Sequence, residues 1–285
     1  MSDAQGQQQG SGQEQGSGQV QGSGQVQVLR HGDGGHVVEL VLDRPGSLNA
    51  LSTEFAGRIG RAVAALTAET GPSRLRAVVL SSSLTTAFCV GADLKQRHTF
   101  SDADLLHQRE VFRAMADAFV QLPVPAVAAV EGDALGGGFE LALLCDLAVA
   151  GAGAVLGLPE VSVGVVPGLG GTQLLTRRIG SARAGDLIYT ARRITAEQAL
   201  ALGAVDRVVP AGQARPAALE LATTIAAHSP VGVRHAKRAI LAGRDVSLAE
   251  GLDVEDAAWR ATAFSPDRAE GVAAFVEKRR PVWPG

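Results

Sequence analysis

Two cysteines in 285 residues, Cys89 and Cys145, leave no disulfide framework, and no CxxC pair or Cys/His cluster marks a metal or redox site. Both sit among apolar neighbours and read as buried, reduced thiols of a cytoplasmic protein. Charge of neither sign dominates: 26 basic against 29 acidic residues give a net charge of −3. That balance carries no electrostatic footprint for nucleic acid or for an anionic membrane, and the first helix offers only Arg58 and Arg61 toward a basic stripe. Every apolar run is interrupted by glycine, proline or an acid, so none is long enough to span a bilayer. Aromatics make up only 4% of the chain, while alanine, glycine and valine abound, which suits tightly packed helices and short strands. Several catalytic signatures are missing too: G-x-S-x-G, G-x-x-x-x-G-K-[ST], H-E-x-x-H and a strand-linked G-x-G-x-x-G.

Residues 1–27 contain three copies of a six-residue Gln/Gly/Ser unit, starting at Gln9, Gln15 and Gln21, with almost no apolar content. Such a segment cannot offset its ordering entropy and is expected to be disordered. It has neither the apolar run of a secretory signal nor the arginines of a transit peptide, the first arginine being Arg30.

From Val28 onward, strand patterns alternate with helical ones. Val26 to Leu29 and His36 to Leu42 read as strands joined by a turn at Asp33-Gly34-Gly35. Ser52 caps a helix with Phe55, Ile59, Val63 and Leu66 on one face, and Ala77 to Leu80 is a buried strand. Ser101 to Asp104 forms a capping box for a helix reaching Gln121, where Pro123 and Pro125 stop it. Strands follow at Ala126 to Val130, Leu147 to Ala150 and near Val155. The core, 28–215, is therefore α/β. Beyond it, 216–285 turns helical, with caps at Ser247 and Ser265 and an apolar stripe of Phe264, Val272 and Phe275 that must bury on the core or on another subunit.

The chemistry concentrates between Val124 and Thr176, where the only charged side chains are Glu131, Asp133, Glu140, Asp146 and Glu160. Glu140 follows Gly136-Gly137-Gly138 and lies in a helix apolar on every face; Glu160 is the only ionisable residue between Asp146 and Arg177. An unpaired buried carboxylate is costly or has a raised pKa, so the pair points to acid-base catalysis. Asp146 reads as a structural group satisfied by backbone N–H donors, and His98, in the solvated run Lys95 to Thr99, as a bystander. The runs Gly136 to Gly138 and Gly168-Leu169-Gly170-Gly171 lead into helices and aim free N–H groups forward. A small-residue turn in Ala87 to Lys95 supplies a second N–H source. Two converging N–H donors plus two carboxylates, with no nucleophile or metal, fit proton transfer beside a carbonyl through an enolate-like state.

In these residues the chain resembles the enoyl-CoA hydratase/isomerase family, the crotonases. The matching pieces are Arg44-Pro45 with Leu48 to Leu51, Phe88 to Lys95, Gly132 to Leu141, Pro159-Glu160, Pro167 to Gln173 and the closing Phe275 to Pro281, nearest the methylglutaconyl-type and short-chain hydratase branches. The resemblance implies a spiral of ββα units, a C-terminal helical region of 216–285 at subunit contacts, and a homotrimer or dimer of trimers. It implies an acyl-CoA substrate with no separate cofactor, coenzyme A being carried by the substrate. It further implies an oxyanion hole from the N–H groups of Ala92 and Gly137, with Glu140 activating water and Glu160 protonating the α-carbon. Ala50, Leu51, Ala92, Asp93, Leu94, Lys95 and Gly137 match the CoA- and substrate-binding segments, and Lys278 is placed to reach a CoA phosphate. The full glutamate pair favours hydration over double-bond isomerisation, and speaks against a non-enzymatic scaffold on the same fold. Residues 96–106 and the C-terminal helices are expected to shape the acyl pocket.

Overall fold

The computed structural model describes residues 24–32, 34–69 and 75–285. Its strands are β1 Gln25–His31, β2 Val37–Asp43, β3 Ala77–Ser82, β4 Ala87–Cys89, β5 Ala126–Val130, β6 Asp133–Leu135, β7 Leu147–Gly151, β8 Val155–Gly157, β9 Ile194–Thr195 and β10 Arg207–Val209. Its helices are α1 Thr53–Thr67, α2 Leu94–Arg97, α3 Asp102–Val120, α4 Gly137–Leu144, α5 Gly171–Ile179, α6 Ser181–Thr190, α7 Ala196–Leu202, α8 Ala214–Ala226, α9 Pro230–Gly243, α10 Leu248–Ala263 and α11 Pro266–Glu277.

Two sheets run side by side, β1-β2-β3-β5-β7-β10 and β4-β6-β8-β9. Along the chain, β3 and β4, β5 and β6, and β7 and β8 each put one strand in the large sheet and the next in the small one. A helix or helical segment then returns to the large sheet. This is the spiral of ββα units expected from the sequence, and all pairings are parallel except β1 with β2 and β8 with β9.

Strand alternation splits β2 between two cores. Val38, Leu40 and Leu42 join the main core with α1 and α3, while Val37 faces α8 together with Val79, Val127 and Val149. On α1, Phe55, Ile59, Val63 and Leu66 are buried along one stripe, each side chain contributing about 1.5–3 kcal/mol by area burial. Glu39, wholly buried on the α8 side of β2, is held by the Arg215 guanidinium (2.6 and 2.9 Å), the Ser81 hydroxyl (2.6 Å) and His31 (2.9 Å). Burial alone would raise its pKa; these donors, Arg215 first, hold it below the usual value. The network ties α8 to the sheet.

Two sequence boundaries shift. The low-complexity stretch drawn to residue 27 overlaps β1, because Gln25, Val26 and Gln27 pair with Asp43, Leu42 and Val41; residues 1–23 lie outside the described region. The division at 215/216 falls inside α8, which packs on the sheet rather than with the tail. Beyond α8, α9–α11 bury almost nothing: Phe264 and Phe275 are each 85% exposed, and Ile240, Leu248 and Trp259 are exposed as well. No helix among the described residues is long and apolar enough to cross a membrane.

Candidate active site

Glu140 sits in the first turn of α4, a helix so apolar that Phe139, Leu141, Ala142 and Leu143 are buried with it. Gly138 is what lets this helix pack against β4, because a Cβ there would lie 1.8 Å from the Cys89 carbonyl oxygen. The Glu140 carboxylate is only 2% exposed. Its Oε1 accepts the backbone N–H groups of Leu169 (2.7 Å) and Gly171 (2.6 Å), at the N-terminal end of α5. Burial pushes its pKa up, and those N–H groups pull the other way by favouring the charged form. The second glycine run thus aims its N–H groups at Glu140 itself.

Glu160 opens a short 3-10 turn, Glu160–Val163, and has no comparable cradle: its Oε2 is buried without a hydrogen-bond partner. Burial first, and then the Glu140 charge, push it up to about 7. Both carboxyls are thus raised by burial, and Glu140 alone of the two accepts N–H groups from the start of α5, which favour its charged form.

Two backbone N–H groups stand near the carboxylates. Leu51 bridges Gly91 and Asp93, its N–H donating to Gly91 O (2.7 Å) and its carbonyl accepting from Asp93 N–H (3.0 Å). In that parallel bridge the intervening Ala92 N–H turns away from Leu51. Gly91, at φ +90°, makes the turn possible. Gly137 is the first residue of α4, where an N–H has no intrahelical acceptor. Neither N–H has a protein acceptor among the described residues, and a Cβ on Gly137 would lie 3.9 Å from Ala92 N.

The loop behind them is stiff. Arg44, itself buried, donates through Nη1 to Ala50 O (2.7 Å) and Asp93 Oδ2 (2.8 Å). Asn49 accepts Arg44 N–H (2.7 Å) and donates to Ser82 Oγ (2.8 Å) and Phe88 O (3.0 Å). The motif pieces Arg44-Pro45 and Leu48 to Leu51 are thereby explained physically: they fix the backbone that presents Ala92.

Glu140, Glu160, Ala92 and Gly137 line a cavity of about 470 Å³. Of the residues expected from the sequence, Ala92, Leu94, Gly137, Glu140 and Glu160 line it. Ala50, Leu51, Asp93, Lys95 and Lys278 are not among its lining residues. Leu51 is buried beneath Gly137. Asp93 caps α2 through Gln96 N–H (3.1 Å) and pairs with Arg44; burial alone would raise its pKa, but these contacts hold it low. Its carboxylate thus serves the structure of the loop. Lys278 ends α11, which packs on α9 and α10. The C-terminal helices contribute no lining residue within one chain, whereas Arg97 and Leu105 from the expected 96–106 stretch do.

Sequence reading held Arg97 only as part of the 96–106 stretch, with no role of its own, and missed Arg109, Phe112, Val163, Val165 and Val166, which also line the cavity. Arg97 was hidden in a polar run read as solvated, and α2, only four residues long, gives no periodic signal. Asp146 is structural, as expected: it accepts Ala126 N–H (2.7 Å), with Lys237 added at 2.8 Å. His98 is exposed and outside the cavity. Burial pushes both cysteine thiols up to about 12, which leaves them unreactive. Two other hollows, about 560 and 530 Å³, lie against α9 and among α10, α11 and Trp283, and neither contains the glutamate pair.

The sequence model of the family described as enoyl-CoA hydratase/isomerase matches residues 33–285. An enoyl-CoA isomerase/hydratase of Mycosarcoma maydis is 40% identical, with 87% of this chain and 93% of the relative covered. The mitochondrial methylglutaconyl-CoA hydratase of Homo sapiens is 39% identical, covering 87% and 74%. Among solved structures, an enoyl-CoA hydratase from Bacillus anthracis superposes with a TM-score of 0.87 at 40% identity, over 91% of this chain and 99% of that one. The chain belongs to the enoyl-CoA hydratase/isomerase family, the crotonases.

Proposed function

We propose that this protein hydrates a 2-enoyl-CoA thioester, reversibly, to the 3-hydroxyacyl-CoA. The observation that carries the proposal is the meeting of two carboxylates and two acceptor-free backbone N–H groups in one cavity. The thioester oxygen would lie between the N–H groups of Ala92 and Gly137, which stabilise the charge it gains in an enolate-like state. Glu140, anchored through Oε1, keeps Oε2 for a water molecule. It takes a proton from that water as the oxygen attacks the β-carbon, while Glu160 gives its proton to the α-carbon on the same face. No cofactor enters the scheme.

Double-bond isomerisation is the second reading. It needs only one carboxylate to move a proton, and the fungal relative is named for both activities. The two readings separate on Glu140→Gln with crotonyl-CoA and a 3-enoyl-CoA as substrates. A hydratase loses water addition by at least ~10²-fold. Retention of isomerisation with no measurable water addition in the parent enzyme would reject hydration as the main activity.

The uncovered apolar faces of α9–α11 support self-association, and we infer a homotrimer or a dimer of trimers. Lys278 is not among the lining residues of its own cavity, and we propose that it meets a CoA phosphate at a neighbouring copy's cavity.

A further inference from the structure

Arg109 lines the cavity and has no part in the reaction proposed above. It belongs to the face of α3 that carries Leu105 and Phe112, one turn before it and one after, both of which line the same space. Its neighbour Gln108 sets that face. Gln108 is buried and donates to Thr53 Oγ1 (3.0 Å) and Gln96 Oε1 (3.3 Å), which holds α3 to the start of α1 and to α2. From this anchored helix Arg109 reaches the loop before α5, where its Nη1 donates to Gly168 O.

The carbonyl of Gly168 and the N–H of Leu169 belong to one peptide unit, and in a trans peptide they point in opposite directions. That N–H donates to Glu140 Oε1 at 2.7 Å. One rigid plane therefore has Glu140 at its donor end and Arg109 at its acceptor end. Little else fixes it. Among the described residues, 166–168 make no hydrogen bond from backbone to backbone, and glycine at 168 leaves the plane free to turn. Turning it would withdraw an N–H from a buried carboxylate and aim a carbonyl oxygen at it instead, replacing attraction by repulsion.

Resting on the hydration reading of the site, we propose that Arg109 is a positioning residue: it pins the Gly168–Leu169 peptide so that the Leu169 N–H stays on Glu140, and so keeps the base anionic. It touches no reacting atom and acts through that peptide. Four ionisable side chains line the cavity, Arg97 on α2, Arg109 on α3, Glu140 on α4 and Glu160 on the 3-10 turn, and the other lining residues are uncharged. Arg97 is half-buried with its Nε on Gln108 Oε1 (2.7 Å), and its charge is common to every variant below. Burial raises the Glu140 carboxyl, the N–H groups of Gly171, Leu169 and Gly168 lower it, and the Arg109 charge lowers it further. Loss of Arg109 therefore raises it by two routes, a missing charge and a loosened N–H donor.

The test compares the parent, Arg109→Met and Arg109→Lys as full chains. With crotonyl-CoA, Arg109→Met should move the acid limb of the kcat profile up by at least ~0.5 pH unit, which lowers turnover about 3-fold at the foot of that limb, and should leave KM nearly unchanged. Arg109→Lys keeps the charge without the guanidinium's reach and should fall between the two. A raised KM with an unmoved limb would overturn the assignment and make Arg109 a contact for the thioester. A loss of kcat equal at every pH would overturn it as well, because a purely structural role leaves the limb in place. A second arm needs no turnover. In a Glu160→Gln background, infrared spectroscopy follows the protonated Glu140 carboxyl with pH, its band being the one that Glu140→Gln removes. Arg109→Met should raise the midpoint by at least ~0.5 pH unit, and an unmoved midpoint would overturn the assignment. A parent that hydrates no enoyl-CoA, yet shows this infrared difference, would reject the hydratase reading and leave the role of Arg109 standing.

Discussion

At the scale of single residues, the proposed hydration rests on two glutamates in unequal surroundings. Glu140→Gln and Glu160→Gln should each cut hydration of an enoyl-CoA by at least ~10²-fold while leaving the fold and acyl-CoA binding intact, as steady-state kinetics and calorimetry can check. Glu160 also predicts a pH dependence. Its carboxyl titrates near 4.5 in the unfolded chain and at about 7 in the folded one, so the native state holds the proton more tightly. The stability that this contributes is fully present below pH 4.5 and is lost as pH rises through 7. Glu160→Gln removes the loss. The variant should therefore melt above the parent at about pH 8 and lose that advantage toward pH 4, the expected pattern for a site that exchanges stability for function. A Glu160→Gln protein that melts below its parent at about pH 8 would contradict the raised carboxyl. The same group predicts that turnover in the hydration direction falls above about pH 7 as the donor proton is lost. Among the backbone donors, Gly137 is the first residue of α4, a position where proline is compatible with a helix and removes the N–H, with Leu51 Cδ1, 3.1 Å from the added Cβ, having to give way. Gly137→Pro should cost about 10²-fold in turnover, with circular dichroism showing the fold retained.

At the scale of elements, several long periodic segments were legible in the sequence, and of the short ones only the strand near Val155 was. Helices α1 and α3 declared themselves through Ser52, the Ser101 box and apolar stripes, and β2, β3, β5 and β7 through apolar runs bounded by turns. The strands of the small sheet are only two or three residues long, and α2 four, too short for any period to show. That is why Ala87 to Lys95 read only as a turn, and why the capping of α2 by Asp93 did not show. The glutamates were legible because their isolation in apolar sequence is local information. Arg97 was not, because a half-buried cation on a four-residue helix looks the same in sequence as a solvated one. The loop of Arg44 to Leu51 connects the two kinds of evidence: its motif was visible, and its work only becomes clear in space. Arg44→Met leaves Asp93 buried and unpaired, which should cost about 3–5 kcal/mol in denaturant melts. It should also lower kcat, because Ala92 is held through Ala50, Leu51 and Asp93. Arg44→Met with normal stability would show that this pair does not brace the loop.

At the scale of the whole molecule, the two ends of the chain should behave in opposite ways. The Gln/Gly/Ser repeat carries almost no apolar content, and β1 begins only at Gln25, so deleting residues 1–23 should leave melting temperature, oligomer size and turnover nearly unchanged. The other end is bound into the fold by specific contacts. Asp267, buried at the start of α11, accepts the Ser229 hydroxyl (2.5 Å) and the Gly285 N–H (2.8 Å), and Trp283 Nε1 donates to Ala227 O (2.8 Å). The final residues therefore fold back over the junction between α8 and α9, while Phe264 and Phe275 point outward uncovered. Deleting Ala263 to Gly285 should release that junction, remove the outward apolar face and weaken assembly, and it should raise KM for CoA thioesters if Lys278 serves a neighbouring cavity. Sedimentation and steady-state kinetics on both truncations decide the matter. A C-terminal truncation that stays oligomeric with unchanged KM would remove the tail from both roles, whereas loss of assembly with normal KM would leave it an assembly element alone.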